Sequence, residues 1–110
     1  MKLAIIGSRT LWISNLQDYI PDNVTEIVSG GAKGVDRQAA AFAKEHYIPL
    51  TEFLPNYELY GKAAPLKRNE KIAAYADMAL AFWDGTSKGT KHTISLFEKQ
   101  GKHVVIIKLS

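Results

Sequence analysis

The sequence predicts a single doubly wound α/β domain over residues 1–110, with five parallel strands in the order 3-2-1-4-5 and helices on both faces of the sheet. Short apolar runs alternate with helical stretches along the whole chain. Strands that are rich in apolar residues and separated by helices indicate a parallel sheet covered on both faces. Two glycine-containing loops, at residues 29–36 and 84–90, each lie between an apolar run and an amphipathic stretch. A chain of 110 residues is long enough to form one core of its own.

Each element has its own signal in the sequence. In chain order the predicted elements are a strand at residues 3–6, a helix at 11–20, a strand at 26–28, a helix at 34–46, a strand at 48–54, a loop at 55–61 that holds Tyr57 and Tyr60, a helix at 63–75, a strand at 78–83, a helix at 90–100 and a strand at 104–107. Pro21 stops the first helix, and Gly101 ends the last one. The second helix contains four alanines, whose high helix propensity and small size let it lie close to a sheet.

The composition indicates which ligands and which cellular location to expect. The 14 basic and 11 acidic residues give a net charge of +3, which favours anionic ligands but lacks the dense basic stripes of most nucleic-acid binders. The chain has no cysteine, and His46, His92 and His103 lack the spacing of metal ligands, so no metal and no cofactor are predicted. The apolar run before Arg9 is too short for a signal peptide, and no run has the length of a membrane span. We therefore expect a cytoplasmic protein with no membrane partner.

The predicted architecture places the glycine loops together. In a doubly wound sheet the ligand crevice lies outside the carboxyl ends of the strands, where the strand order reverses. Gly7-Ser8-Arg9 and both glycine loops follow strands and precede helices, so all three lie on that edge. Glycine lets backbone approach a phosphate closely, and the first amides of the following helix face the anion. Mobile positive charge nearby comes from Lys33, Arg37, Lys88 and Lys91.

The standard phosphate motifs are absent. The loop at 84–90 lacks the G-x-x-x-x-G-K-[ST] order, and Ser29 replaces the first glycine of G-x-G-x-x-G. The dinucleotide fingerprint also belongs after the first strand, whereas this loop follows the second. A P-loop nucleotidase or a standard dehydrogenase is therefore not expected. Trp83 either stacks on a ligand or ends a buried strand, and the second interpretation is preferred.

Three segments carry a family resemblance over nearly the whole chain. They are S-G-G-A-K-G-V-D-R-Q-A-A from Ser29, L-K-R-N from Leu66, and A-D-M-A-L-A-F-W-D-G-T-S-K-G-T from Ala76. In these segments the sequence resembles the SLOG superfamily of Rossmann-like domains, in particular the small stand-alone proteins related to YspA and YpsA. Relatives in that superfamily include the lonely-guy (LOG-like) phosphoribohydrolases and the DNA-uptake protein DprA. The resemblance implies a pocket for a nucleotide or a nucleotide derivative, and frequently a homodimer.

The loops and the resemblance together predict the site residues. The expected ligand-binding residues are Gly7, Ser8, Arg9, Ser29, Gly30, Gly31, Ala32, Gly34, Asp36, Arg68, Asn69, Asp84, Gly85, Ser87, Gly89 and Thr90. The resemblance places the conserved arginine of the phosphoribohydrolases on Arg68, which is suited to bidentate phosphate binding. Their glutamate position is occupied here by Thr93, which cannot stabilise an oxocarbenium-like transition state or activate water. Asp36 and Asp84 are the carboxylates that can stand in, although each can equally stabilise a helix or loop end.

Three functions remain open from the sequence. The first is a ligand-binding or sensing protein for a nucleotide or an ADP-ribose-like molecule. The second is an N-glycosidic hydrolase that uses Asp36 or Asp84 with Arg68. The third is DprA-like single-stranded DNA binding, which the modest charge disfavours. Gly31→Val is expected to block the pocket with little effect on folding, provided that φ at Gly31 is negative.

Overall fold

The computed structural model describes residues 1–109 and confirms the predicted fold class. Within these residues the sheet has five strands, all parallel, in the order β3-β2-β1-β4-β5. The strands are β1 Lys2–Gly7, β2 Glu26–Ser29, β3 Leu50–Glu52, β4 Met78–Trp83 and β5 His103–Lys108. The helices are α1 Val35–Glu45, α2 Tyr57–Tyr60, α3 Ala64–Tyr75 and α4 Lys88–Lys99. The topology is Rossmann-like.

The strand order reverses beside β1. In the register of the sheet, Leu3 of β1 pairs with Ile27 of β2 on one side and with Met78 of β4 on the other. The chain therefore runs outward from β1 to β3 and then returns to the far side of β1. Such a reversal leaves a crevice at the carboxyl ends of the strands, between the loops that leave in opposite directions.

Helices cover both faces of the sheet. On one face, α1 packs Val35, Ala39 and Ala43 against Leu3 and Phe82, and all five side chains are fully buried. The other face of the sheet carries α3 and α4. Its core includes Ala4, Val28, Ile72, Ala73, Ala79, Ala81, Ile94 and Phe97. The small alanines on this face let α3 and α4 lie close to the strands, and the alanines predicted to do the same for the helix at 34–46 include Ala39 and Ala43, which are buried against the opposite face.

The helix predicted at residues 11–20 is wrong. In this segment the structure has a short 3₁₀ helix, Leu16–Tyr19, preceded by irregular backbone. The Gln38 side chain of α1 binds the backbone of Ile13 twice, accepting from its amide at 2.7 Å and donating to its carbonyl at 2.8 Å. The second bond takes the carbonyl of Ile13, which a helix over 11–20 would pair with the amide of Gln17, so a tertiary contact competes with the local helical pattern.

Two further segments differ from the sequence prediction. The loop predicted at 55–61 contains the one-turn helix α2, because the side chain of Asn56 caps it by accepting from the amide of Leu59 at 3.1 Å. The third strand is shorter than predicted, since it holds three residues, Leu50–Glu52. The longest helices, α3 and α4, have 12 residues each. No helix in residues 1–109 combines the length and apolar character that crossing a bilayer would require.

Candidate functional site

A cleft of about 410 Å³ opens at the carboxyl ends of β1, β2 and β4. The turns after these three strands line it together with residues of α3 and of the first half of α4. The cleft therefore lies at the point where the strand order reverses, which is where ligands bind in open α/β sheets.

Most of the predicted site residues line this cleft. Those that do are Gly7, Ser8, Arg9, Gly30, Ala32, Asp36, Arg68, Asn69, Asp84, Ser87, Gly89 and Thr90. Those that lie outside its lining are Ser29, Gly31, Gly34 and Gly85. The lysines and the arginine that were expected to add mobile charge, Lys33, Arg37, Lys88 and Lys91, are exposed and also lie outside the lining. The charge that faces the cleft comes instead from Arg9, Arg68 and the two aspartates.

The first glycine loop binds mainly to itself. The hydroxyl of Ser29 is fully buried and accepts from the amide of Gly31 at 3.3 Å. A carboxylate oxygen of Asp36 accepts from the amide of Ala32 at 3.1 Å. These two amides are therefore not free to hold a phosphate, so this loop offers fewer backbone donors than its sequence suggests.

Two glycines of that loop serve the packing of the chain. Gly34 has φ of 70°, and a Cβ there would collide with the backbone of Arg9. Gly31 also has φ of 70°, and a Cβ there would meet the side chain of Leu54. The prediction for Gly31→Val required a negative φ at Gly31, and the structure has a positive one. That substitution would strain the backbone and press on Leu54, so it does not test the cleft.

Arg68 crosses the cleft from α3. Its Nη1 donates to the carbonyl of Gly30 at 2.6 Å, and its Nε donates to Oδ1 of Asn69 at 2.9 Å. Burial lowers the pKa of Arg68, and the charge of Asp36 opposes that lowering. An arginine remains protonated across the physiological range, so Arg68 keeps a half-buried positive charge inside the cleft.

Asp36 places a carboxyl group opposite Arg68. Asp36 is 7% exposed, and burial raises its pKa above the ordinary value of 3.8. The hydrogen bond from the amide of Ala32 and the charge of Arg68 both act to lower this pKa, but burial has the larger effect. A methyl group on Gly30 would lie 2.6 Å from Nη1 of Arg68 and 3.1 Å from Oδ2 of Asp36. The two charged groups thus face the same point above Gly30 without forming an ion pair within 4.0 Å.

The loop after β4 is organised by Asp84. Its Oδ1 accepts from the amides of Ser87 at 2.7 Å and Thr86 at 2.9 Å. These two bonds hold the pKa of Asp84 below its ordinary value. The indole of Trp83 donates to the carbonyl of Ser87 at 3.0 Å and packs against the core, so the preferred interpretation of Trp83 agrees with the structure. The Asp84 carboxylate therefore caps the turn that leads into α4.

The amino end of α4 keeps its backbone donors free. The first intrahelical bond runs from the amide of Lys91 to the carbonyl of Ser87, which leaves the amides of Lys88, Gly89 and Thr90 without an acceptor among residues 1–109. The side chain of Ser8 lines the same cleft as Gly89 and Thr90 and is 3% exposed.

Among residues 1–109, the hydroxyl of Ser8 has no partner that meets the geometry of a hydrogen bond. The Asp84 carboxyl is close by, since a side-chain contact with Ser8 is the smallest of the causes that lower its pKa, but that contact falls short of hydrogen-bond geometry. A buried hydroxyl without a partner is costly, so this group is a donor or acceptor available to a molecule in the cleft.

Sequence reasoning missed six residues of the cleft lining. The lining also includes Ile6, Thr10, Pro65, Leu66, Ile72 and Thr93. Pro65, Asn69 and Ile72 are spaced so that they share one face of α3 with Arg68, and this spacing was readable once Arg68 was chosen. Thr93, at the family glutamate position, is buried and donates to the carbonyl of Gly89 at 3.1 Å. No group of three or more potential metal ligands occurs among residues 1–109.

Comparison with known proteins identifies a relative of this chain. The chain matches no protein-family model and no solved structure. It is 36% identical over 85 residues to the Gene 61 protein of Mycobacterium phage D29, and the match covers 72% of this chain and 68% of that protein. Identity at this level over more than two thirds of both chains shows common descent. The chain therefore belongs to the family of the Gene 61 protein of Mycobacterium phage D29.

Proposed function

We propose that the protein binds a nucleotide or a nucleotide derivative in this cleft, with a phosphate group at the amino end of α4. The observation that carries the proposal is the buried hydroxyl of Ser8, which lacks a partner within the described residues and lies on the same cleft as the free amides of α4. The fold, the resemblance to SLOG proteins and the position of the cleft at the strand reversal support it.

The amino end of α4 is suited to an anion. Three adjacent amides without acceptors and the positive end of a 12-residue helix dipole favour negative charge at this point. Arg68 and Arg9 line the same cleft and add two full positive charges. Phosphate oxygens would accept from the amides, from the Ser8 hydroxyl and from the arginines, which matches the several acceptors that one phosphate offers.

The rest of the cleft is suited to the remainder of a nucleotide. Ile6, Pro65, Leu66 and Ile72 provide apolar surface for a base, and Asp36 provides an acceptor for a sugar hydroxyl. A volume of about 410 Å³ lies within the range of small-molecule sites, roughly 300–1,000 Å³. On this proposal the protein is a sensor or a binding protein of the nucleotide pool, and a cytoplasmic location is part of the same proposal.

Isothermal titration calorimetry with AMP, ADP-ribose, adenosine and inorganic phosphate tests this proposal. We expect AMP or ADP-ribose to bind and adenosine to bind at least tenfold more weakly, because adenosine lacks the anion. Ser8→Ala should weaken AMP binding about three- to tenfold by removing one hydrogen bond. The matched control is Ser14→Ala, which alters an exposed serine outside the cleft.

Two outcomes of the titration would refute the proposal. One is equal affinity for AMP and adenosine, which would remove the role of the phosphate. The other is unchanged AMP affinity in Ser8→Ala, which would place the phosphate elsewhere.

Hydrolysis of an N-glycosidic bond is a second candidate, and the position of Asp36 favours it. A buried carboxyl group opposite an arginine in the same cleft can take the proton of an attacking water or stabilise developing positive charge on a sugar. Incubation with AMP should then release adenine, measured by liquid chromatography, and Asp36→Asn should abolish release while AMP still binds. Tight binding without release of base would leave sensing as the function.

Other expectations from the sequence remain predictions. Single-stranded DNA binding would show an affinity that falls steeply with salt, measurable with a fluorescent oligonucleotide. A homodimer or a higher homo-oligomer is expected from the SLOG resemblance, and light scattering after gel filtration measures it.

A further inference from the structure

A chain of hydrogen bonds joins Arg68 to α4. Nε of Arg68 donates to Oδ1 of Asn69 at 2.9 Å, and Nδ2 of Asn69 lies 3.3 Å from Nδ1 of His92. Arg68 and Asn69 lie on α3, whereas His92 lies on α4, one turn beyond the free amides of its amino end. The chain thus spans the two helices that flank the cleft.

The chemistry of these groups fixes the direction of every bond. The Nε–H of an arginine can only donate, so the Asn69 oxygen must face Arg68. The Asn69 amide nitrogen, which can only donate, therefore faces His92. Nδ1 of His92 must accept, and its ring proton must be on Nε2. The arrangement requires a neutral His92 in one tautomer.

The burial of Asn69 makes this arrangement selective. Asn69 is 6% exposed, so few water molecules can replace a lost partner. Without the acceptor on His92, the Asn69 NH₂ group loses its partner, and the Asn69 side chain is anchored at its oxygen alone. That oxygen can then shift relative to the Nε–H of Arg68, which leaves the bond from Nη1 to the carbonyl of Gly30 as the firm contact of the guanidinium.

We propose that His92 is a positioning residue, which acts through Asn69 to hold the Arg68 guanidinium in its place across the cleft. The link to ligand affinity rests on the proposed function, because it assumes that Arg68 binds the phosphate. The hydrogen-bond chain itself does not depend on a ligand, so it can be tested separately.

The first test uses nitrogen-15 NMR of the full chain without ligand at pH 7.5. We expect the His92 ring to carry its proton on Nε2, and the Nε–H of Arg68 to exchange slowly with water. His92→Phe should speed that exchange at least tenfold, because the Asn69 oxygen is no longer fixed. The matched control is His103→Phe, at the exposed start of β5 and outside the lining of the cleft.

The second test measures AMP affinity. His92→Phe should weaken AMP binding about three- to tenfold. His92→Asn should restore most of it, because the asparagine oxygen takes the place of Nδ1 as an acceptor. A role of His92 in packing alone would not be rescued by this smaller polar side chain.

The outcomes of the two tests separate this inference from the proposed function. If wild-type protein does not bind AMP but His92→Phe speeds exchange at Arg68, the proposed function fails and the positioning role stands. If the His92 proton is on Nδ1, or if exchange at Arg68 is the same in His92→Phe, the positioning role is refuted. The tautomer is read from wild-type protein, so this test stands even if the variant does not fold.

Discussion

Gly30 is the residue whose Cα faces both charged side chains of the cleft. A methyl group at this position would lie 2.6 Å from Nη1 of Arg68 and 3.1 Å from Oδ2 of Asp36. Unlike Gly31, Gly30 does not have a left-handed backbone, so an alanine there adopts φ without strain. Because the nearest atom is the far end of a long side chain, Arg68 can move aside.

We predict that Gly30→Ala weakens AMP binding at least tenfold, because the displaced guanidinium no longer faces the phosphate. The free energy of unfolding should change by less than about 1 kcal/mol, since an arginine end can shift at low cost. Calorimetric titration and urea denaturation measure the two effects. Unchanged affinity for AMP would mean that Arg68 does not take part in binding.

At the scale of the elements, the two helix amino ends beside the cleft use glycine for different reasons. Gly34 precedes α1 with φ of 70° and lies against the backbone of Arg9. Gly89 lies in the first turn of α4, and a Cβ there would meet no atom within 4 Å. The first glycine is required by packing between two turns, whereas the second leaves backbone amides accessible.

This contrast predicts opposite effects of one substitution. Gly34→Ala should lower the free energy of unfolding on the order of 2 kcal/mol, through left-handed backbone strain and the collision with Arg9. Gly89→Ala should raise it by up to about 1 kcal/mol, because alanine favours the helix. Urea denaturation of both variants measures the difference. A loss of stability in Gly89→Ala that equals the loss in Gly34→Ala would contradict this account.

The strands and long helices were predictable because their signals are local. Consecutive apolar residues at 78–83 and the alanines of α1 act within their own segments, and strand order follows from general rules of α/β topology. The segment at 11–20 was mispredicted because its backbone is bound by Gln38, more than twenty residues further along the chain. Asn56 is a cap residue for α2 that the sequence shows, although the turn residues around it favour a loop prediction.

The site was predictable where it depends on topology. The position of the cleft and most of its lining follow from which turns leave the carboxyl ends of the strands. The internal bonding of the loop at 29–34 was not predictable, since it depends on where the hydroxyl of Ser29 and the carboxylate of Asp36 point. The same applies to His92, whose contact with Asn69 requires α3 and α4 to pack at a particular register.

For the whole molecule, the amino and carboxyl ends of the strands carry carboxylates whose pKa values are shifted in opposite directions. At the amino edge, Glu26 accepts from the hydroxyls of Thr51 and Tyr75, each at 2.6 Å, and these bonds lower its pKa below 4.5. At the carboxyl edge, burial raises the pKa of Asp36 above 3.8. The first carboxylate is held by bonds that stabilise the fold, and the second is kept in the cleft at a cost to the fold.

The two shifts predict opposite dependences of stability on pH. A lowered pKa in the folded state means that Glu26 adds stability above its unfolded pKa, and that this contribution is lost as the pH falls through the folded value. A raised pKa means that the contribution of Asp36 is present at acid pH and is lost as the pH rises through its folded value.

Between pH 3 and pH 7, the free energy of unfolding of Glu26→Gln should therefore rise less than that of the wild-type protein. The free energy of unfolding of Asp36→Asn should rise more than that of the wild-type protein. Urea denaturation across that range measures both. If both variants change the pH dependence of stability in the same direction, the pKa shift of one of the two carboxyl groups has the opposite sign to that described.

The pairing of β1 with β4 brings together residues that are far apart in the chain, such as Leu3 and Met78. Both the Ser8 turn and the free amides of α4 exist only in chains that extend at least to Thr90. A ligand held between them would therefore bind only chains made past that residue, and its presence during synthesis would favour those chains over shorter ones.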